Sequence, residues 1–169
     1  MEAGSSCKWA EIKQQITSID WSQYETAYGN AAKDMPYDVP YGDSCGSMPK
    51  VEQALLDLFA DERETALKAS HDLWCELCHQ HAYLSSAALP AFDFLFYALE
   101  HLGMELQVEL LDIFYGFAVC SSNHDAPGSW RGQLQAKLME RKMYFQRLAG
   151  CPEEEIAAFA GLIVEALDS

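Results

Sequence analysis

The sequence predicts an all-α protein, a stack of antiparallel helix hairpins in the manner of an α-solenoid. Three observations lead there. Apolar residues recur at helical spacing through most of the 169 residues, and no β-alternating run of useful length interrupts them. Proline and glycine gather at a few breaks instead of being spread along the chain. From Lys50 onward the helical stretches come in pairs joined by short turns, in units of about 30–40 residues, the period of helical repeats. Identity between the units is weak, so the expectation rests on architecture. The length suits one domain, 1–169, able to bury roughly 70% of its unfolded surface. Within it, 1–31 form N-terminal helices, 32–49 a loop and 50–169 three helix pairs.

Lys8–Ser18 reads as a short amphipathic helix, with Trp9, Ile12 and Ile16 at i, i+3 and i+7. Asp20 is placed to cap a second short helix, Trp21–Ala31. Ala32–Pro49 holds Pro36, Pro40, Gly42, Gly46 and Pro49 and cannot sustain a helix. Long loops of this kind are often functional, and Tyr37 and Tyr41 are contact-type side chains within it. Lys50–Phe59 is a short helix with Val51, Ala54, Leu55 and Leu58 on one face. Asp61 caps the next, which runs to about His81. Ser85 or Ser86 opens a helix through His101 with Pro90 in its early turns; Gly103 breaks it, and Met104–Cys120 comes next. A polar loop, Ser121–Pro127, leads to one long helix, Gly128–Ala149, ended by Gly150. Pro152 then sits at a first turn, and Glu153, Glu154 and Glu155 carry the charge favoured beside a helix N-terminus. That last helix ends near Leu167.

Charge is the strongest functional feature. The formal net charge is −15. Between Ala69 and Trp130 there is no Lys or Arg, yet the stretch holds Asp72, Glu76, Asp93, Glu100, Glu105, Glu109, Asp112 and Asp125. Within it, little besides histidine can neutralise them. Such a patch repels nucleic acid and anionic membrane and attracts cations or a basic protein. The basic residues Arg131, Lys137, Arg141, Lys142 and Arg147 instead share one C-terminal segment. Met1–Ile12 lacks the apolar core of a signal peptide, and no window is apolar for about 18 residues, so the expected setting is cytoplasmic. There the six cysteines read as free thiols and not as a disulfide framework.

Cys75-Glu76-Leu77-Cys78-His79 spells the c-type haem attachment string, but that reading requires an exported chain and an exposed segment. Zinc is the softer version, with Cys75, Cys78, His79 and His81 or His71 as ligands. Helical spacing puts His71, Cys75 and Cys78 on one stripe that also contains Leu67 and Trp74, which favours core packing over metal. No nucleophile elbow, Walker loop, H-E-x-x-H or dinucleotide glycine fingerprint is present, so no catalytic residue is assigned and a non-enzymatic role is expected, with no cofactor. Asp72 and Glu76 lie at i, i+4; Glu105, Glu109 and Asp112 at i, i+4, i+7. Both sets are expected on the polar sides of their helices, opposite the leucines, where inward-facing metal carboxylates would not lie. Each set is self-repelling by a few tenths of a kcal/mol per pair, roughly, which an opposing cationic surface would turn into complementarity.

Ile19-Asp20-Trp21-Ser22 followed by Ala27-Tyr28-Gly29-Asn30-Ala31 resembles the opening of small bacterial HEAT-like repeat proteins. His79-Gln80, Tyr83 and then Pro90-Ala91-Phe92-Asp93-Phe94-Leu95 resemble a later segment of the same family. The resemblance covers Ile19 to Leu102 and departs from the family at Asp93, where a second proline is usual, and at Ala32–Pro49, which is longer than the usual link. It implies an αα-superhelix built for protein contact, and some members look like immunity partners of bacterial toxins. In solenoids the second helices of successive hairpins stack side by side on the concave face. The expectation is therefore an acidic protein-binding module, an immunity protein that neutralises a basic toxin domain, such as a nuclease, by stoichiometric occlusion. Asp72, Glu76, Glu105, Glu109, Asp112, Tyr37 and Tyr41 are its expected contacts. A HEAT-like scaffold with another protein partner and a zinc- or haem-binding protein are the alternatives. Oligomeric state is not legible.

Overall fold

A computed structural model describes residues 3–36, 47–121 and 124–169. The protein is mostly helical. The helices are α1 (Ala3–Ser18), α2 (Val51–Leu58), α3 (Arg63–Cys78), α4 (Ala88–His101), α5 (Met104–Cys120), α6 (Trp130–Glu140), α7 (Lys142–Ala149) and α8 (Glu154–Asp168). Four two-residue strands form two antiparallel pairs: β1 (Glu25–Thr26) with β2 (Gly29–Asn30), and β3 (Met35–Pro36) with β4 (Ser47–Met48).

The N-terminal segment departs from expectation. Asp20 does act as a cap, its side chain accepting from Ser22 N, but it opens only a single 3-10 turn, Trp21–Gln23. The expected helix over Trp21–Ala31 is replaced by the β1–β2 hairpin. Gly29 takes φ 139°, a conformation open to glycine and incompatible with helix, and the Thr26 hydroxyl donates to Gly29 O at 2.9 Å to close the turn. Trp21 is buried, and its Nε1 donates to Ile16 O at 3.0 Å, which ties the hairpin to the end of α1.

Downstream, helix positions match the periodicity. Val51, Ala54, Leu55 and Leu58 are all buried on α2, as their spacing predicts. α5 spans the predicted residues. Several boundaries differ: α1 begins at Ala3 and not Lys8, α3 ends at Cys78 ahead of a separate 3-10 turn, and α4 begins at Ala88 and not directly after Ser85 or Ser86. The residue before α3 is Glu62, not Asp61, and it makes no side-chain cap. The long helix predicted over Gly128–Ala149 starts at Trp130 and is divided at Arg141 into α6 and α7.

Packing orders the helices in two layers. α3 and α5 run parallel: Arg63 meets Glu105 near their starts, and Cys78 Sγ donates to Ile113 O at 3.8 Å near their ends. α5 packs in turn on α8. In the other layer, Lys137 of α6 meets Asp93 of α4 at 2.8 Å, and Tyr144 of α7 packs on Phe96 of α4. Helices paired across the layers run antiparallel: Gln107 Nε2 of α5 donates to Leu99 O of α4 at 3.1 Å, and Lys142 of α7 meets Asp168 of α8. Between the layers lies an aromatic core of Phe92, Phe96, Phe114, Phe117 and Phe145, mostly edge to face, an arrangement that adds about 0.5–1.5 kcal/mol per pair beyond area burial.

Candidate functional site: the α3, α5 and α8 face

α5 carries Glu109, Asp112, Tyr115 and Val119 at spacings of three and four, so they form one stripe along the helix. Leu110 and Ile113 of the same helix are fully buried and anchor α5 to the core. On α8, Glu155, Leu162 and Ala166 share a face by the same rule. The two stripes meet. Glu155 of α8 is near enough to Glu109 to raise its pKa, and His71 of α3 faces it from the other side and lowers it. Partial burial and Asp112 are the larger causes, and together these influences push the Glu109 carboxyl above the usual glutamate range. Further along, Tyr115, Val119, Leu162, Glu165 and Ala166 line a cleft of about 260 Å³.

Asp112 is positioned by α3. His81 sits in a 3-10 turn, His79–His81, at φ 57°, and its Nε2 lies 2.7 Å from Asp112 Oδ1. The Trp74 indole N–H points at the same nitrogen from 3.2 Å. A protonated Nε2 donates to Asp112 and a bare one accepts from Trp74, so the two bonds are alternatives. Gly116 allows this approach: a Cβ there would meet Cys78 Sγ at 2.6 Å and His81 Cδ2 at 3.0 Å.

The acidic stretch is less bare than its sequence suggests. Asp72 pairs with Lys68, Asp93 with Lys137, Glu105 with Arg63, Asp112 with His81 and Asp125 with Arg131. Four of these cations flank the stretch in sequence and reach it through the packing of α3 on α5 and α6 on α4, or along their own helix or loop. Among the described residues, Glu76, Glu100 and Glu109 make no ion pair.

Two expected contacts are misplaced. Asp72 and Glu76 do not lie on a solvent face: they are 1% and 0% exposed. Their polar type predicts a solvent face, but the N-terminal hairpin docks on that part of α3. Ala27 N donates to Glu76 O at 2.9 Å and Ser85 Oγ to the same oxygen at 3.0 Å. Among the described residues, Asp72 Oδ1 and both carboxyl oxygens of Glu76 have no hydrogen-bond partner. Burial, then the neighbouring Asp72, pushes the Glu76 carboxyl up to about 9. Glu105, Glu109 and Asp112 do reach the surface, Asp112 partly; Tyr37 and Tyr41 lie outside the described residues.

The C-x-x-C-H residues diverge. Cys78 is buried and bonds to the Trp74 and Ile113 carbonyls. Cys75 faces His71 at 3.7 Å, His79 Nδ1 bonds to the Tyr28 hydroxyl at 2.9 Å, and His81 turns to Asp112. Among the described residues no three His, Cys, Asp or Glu side chains are grouped to hold a metal. Cys75, Cys78, Cys120 and Cys151 are free thiols, while Cys7 and Cys45 lie outside the described side chains. Burial, then Asp72 and Glu76, pushes the Cys75 thiol up to about 11, which keeps it protonated and a poor nucleophile. Among the described residues no helix is long and apolar enough to cross a membrane.

Sequence reasoning reached Glu109 and Asp112 but missed Tyr115, Val119, Glu155 and Leu162. Their spacing carries a signal within each helix; only the packing of α5 on α8 joins them. Compared with family models, with curated proteins and with solved structures, the chain matches none.

Proposed function

We propose that this chain is a non-enzymatic binding protein, a HEAT-like αα-superhelix whose α3, α5 and α8 face captures a basic protein. The observation that carries the reading is the convergence of Glu109, Asp112 and Glu155 from two helices onto one surface. Carboxylates held on one surface repel one another and are relieved when a cation arrives, so the face favours a basic partner and speeds its approach. As an immunity protein, it neutralises a cationic toxin domain, a nuclease for example, by covering its substrate surface one to one in the cytoplasm. Nucleic acid and anionic membrane are poor partners for the same face.

The test is genetic and kinetic. Co-expression with the C-terminal toxin domain encoded directly upstream restores growth, and the purified pair associates at a rate that falls with added salt. The variant Glu105→Lys, Glu109→Lys, Asp112→Lys stays helical, because Leu110 and Ile113 still anchor α5, and loses protection. Full protection by the folded triple variant, with a salt-independent on-rate, refutes electrostatic capture by α5. A neighbouring frame without a toxin domain returns the scaffold reading to first place.

A further inference from the structure

We propose that the cleft between α5 and α8 is the anchor pocket of this surface, and that it receives one apolar side chain from a basic amphipathic helix. The inference rests on the capture reading above and names the recognition element. Val119 and Leu162 are large apolar side chains left 46% and 41% exposed on facing helices. They meet, beside the exposed Glu165 and Ser169, at one end of a face whose other end carries Glu109, Asp112 and Glu155. Buried apolar anchors beside steering charge are the usual division of labour in a helix-in-groove interface.

The geometry sets the spacing of the ligand. Val119 lies seven residues beyond Asp112 and ten beyond Glu109. At about 1.5 Å per residue these intervals span about 10 and 15 Å along α5. A docked helix must therefore carry cations two and three turns from its anchor on the same face. Dipoles set its direction. α5 and α8 both present their N-terminal, partly positive ends at the acidic end of the groove. A helix laid antiparallel to them brings its partly negative C-terminal end there, and its own cations near that end are favourable. The motif is an apolar residue with Lys or Arg seven and eleven positions later. The cations meet Asp112 and Glu109, and the first competes with His81 for Asp112.

The probe is a fluorescent, helix-forming peptide of about 18 residues, five turns, with Leu as anchor and Arg at the two later positions. Its control carries Gln at the anchor position. Anisotropy titrations at low salt measure both against the full chain, against Leu162→Gln and against the double variant Glu109→Gln, Asp112→Asn, each checked for helicity by circular dichroism. The anchored peptide binds the parent protein at least tenfold more tightly than its control. Leu162→Gln erases that difference while retaining weak, salt-sensitive binding of both peptides. Equal binding of the two peptides to the parent, or no binding of either, overturns the anchor pocket. A difference abolished by Leu162→Gln but untouched by the double variant upholds the pocket and refutes capture by the acidic face.

Discussion

Glu76 holds a carboxyl whose two oxygens have no hydrogen-bond partner among the described residues, in the interior, one turn from the buried Asp72. Desolvation is the dominant cause of its high pKa, about 9 against an ordinary 4.5. The folded protein therefore keeps a proton that the unfolded chain releases. Stability falls as pH rises from about 4.5 towards about 9, by at most about 1.4 kcal/mol per pH unit from this group. Glu76→Gln removes that proton linkage while keeping the shape. We predict that it raises the urea-derived stability at pH 8 by about 1–3 kcal/mol and changes it little at pH 5. An equal effect at both pH values would show that the carboxyl is not held protonated. Gly116 is the opposite kind of residue, defined by what it lacks. A methyl group there collides with Cys78 and His81, so Gly116→Ala forces α5 away from α3, an overpacking effect of about 1–3 kcal/mol by thermal or chemical denaturation.

At the scale of elements, the start of α6 shows how a turn and a cap work together. The Ser129 hydroxyl accepts from Gly132 N at 3.0 Å and donates to Ala126 O at 2.6 Å, folding the preceding loop under the first helical turn. A Cβ on Gly132 would sit 2.1 Å from that Ala126 oxygen, which is backbone and cannot swing aside. Gly132→Ala is thus predicted to be more damaging than Ser129→Ala, whose lost cap costs about 1 kcal/mol. Denaturant midpoints of the two variants rank them; a harmless Gly132→Ala would mean that the loop can retreat. The N-terminal hairpin matters in another way. Docked on α3 through Ala27 N and Glu76 O, and on the turn after it through Tyr28 and His79, it helps make what would be a polar helix face a second buried face, on which Asp72 and Glu76 are out of a partner's reach.

Across the whole molecule, a net charge of −15 coexists with ion pairs that staple neighbouring helices: Arg63–Glu105 between α3 and α5, Lys137–Asp93 between α6 and α4, Lys142–Asp168 between α7 and α8. Exposed pairs of this kind contribute little each. The unbalanced acidity acts over longer distances and opposes compaction. Screening should therefore favour the folded state: the urea midpoint is predicted to rise between about 0.01 and 0.15 M NaCl, over which the Debye length shrinks from about 30 to 8 Å. A falling midpoint would show that the staples outweigh the repulsion. The surplus charge is also unevenly placed. Arg141, at the head of α7, and Arg147 within it lie over the rings of Phe96 and Tyr144, while Glu109, Asp112 and Glu155 occupy α5 and α8.

Read alone, the residue order was sufficient for the helical class, for the buried faces of α2 and α5 and for the span of α5, because these depend on spacing within about two turns of chain. The same locality located Glu109 and Asp112 on a polar stripe. It failed where a distant segment decided the outcome. Glu25–Asn30 has the composition to extend a capped helix, but Gly29 at φ 139° and the docking of the hairpin on α3 make it a β-turn. Asp72 and Glu76 are polar by type and buried by tertiary cover. The C-x-x-C-H string reads as a ligand set in one dimension, yet α3 and its terminal turn aim its side chains in different directions. The cleft between α5 and α8 has no trace in either helix alone, since it exists only where two stripes, each ordinary by itself, are packed side by side.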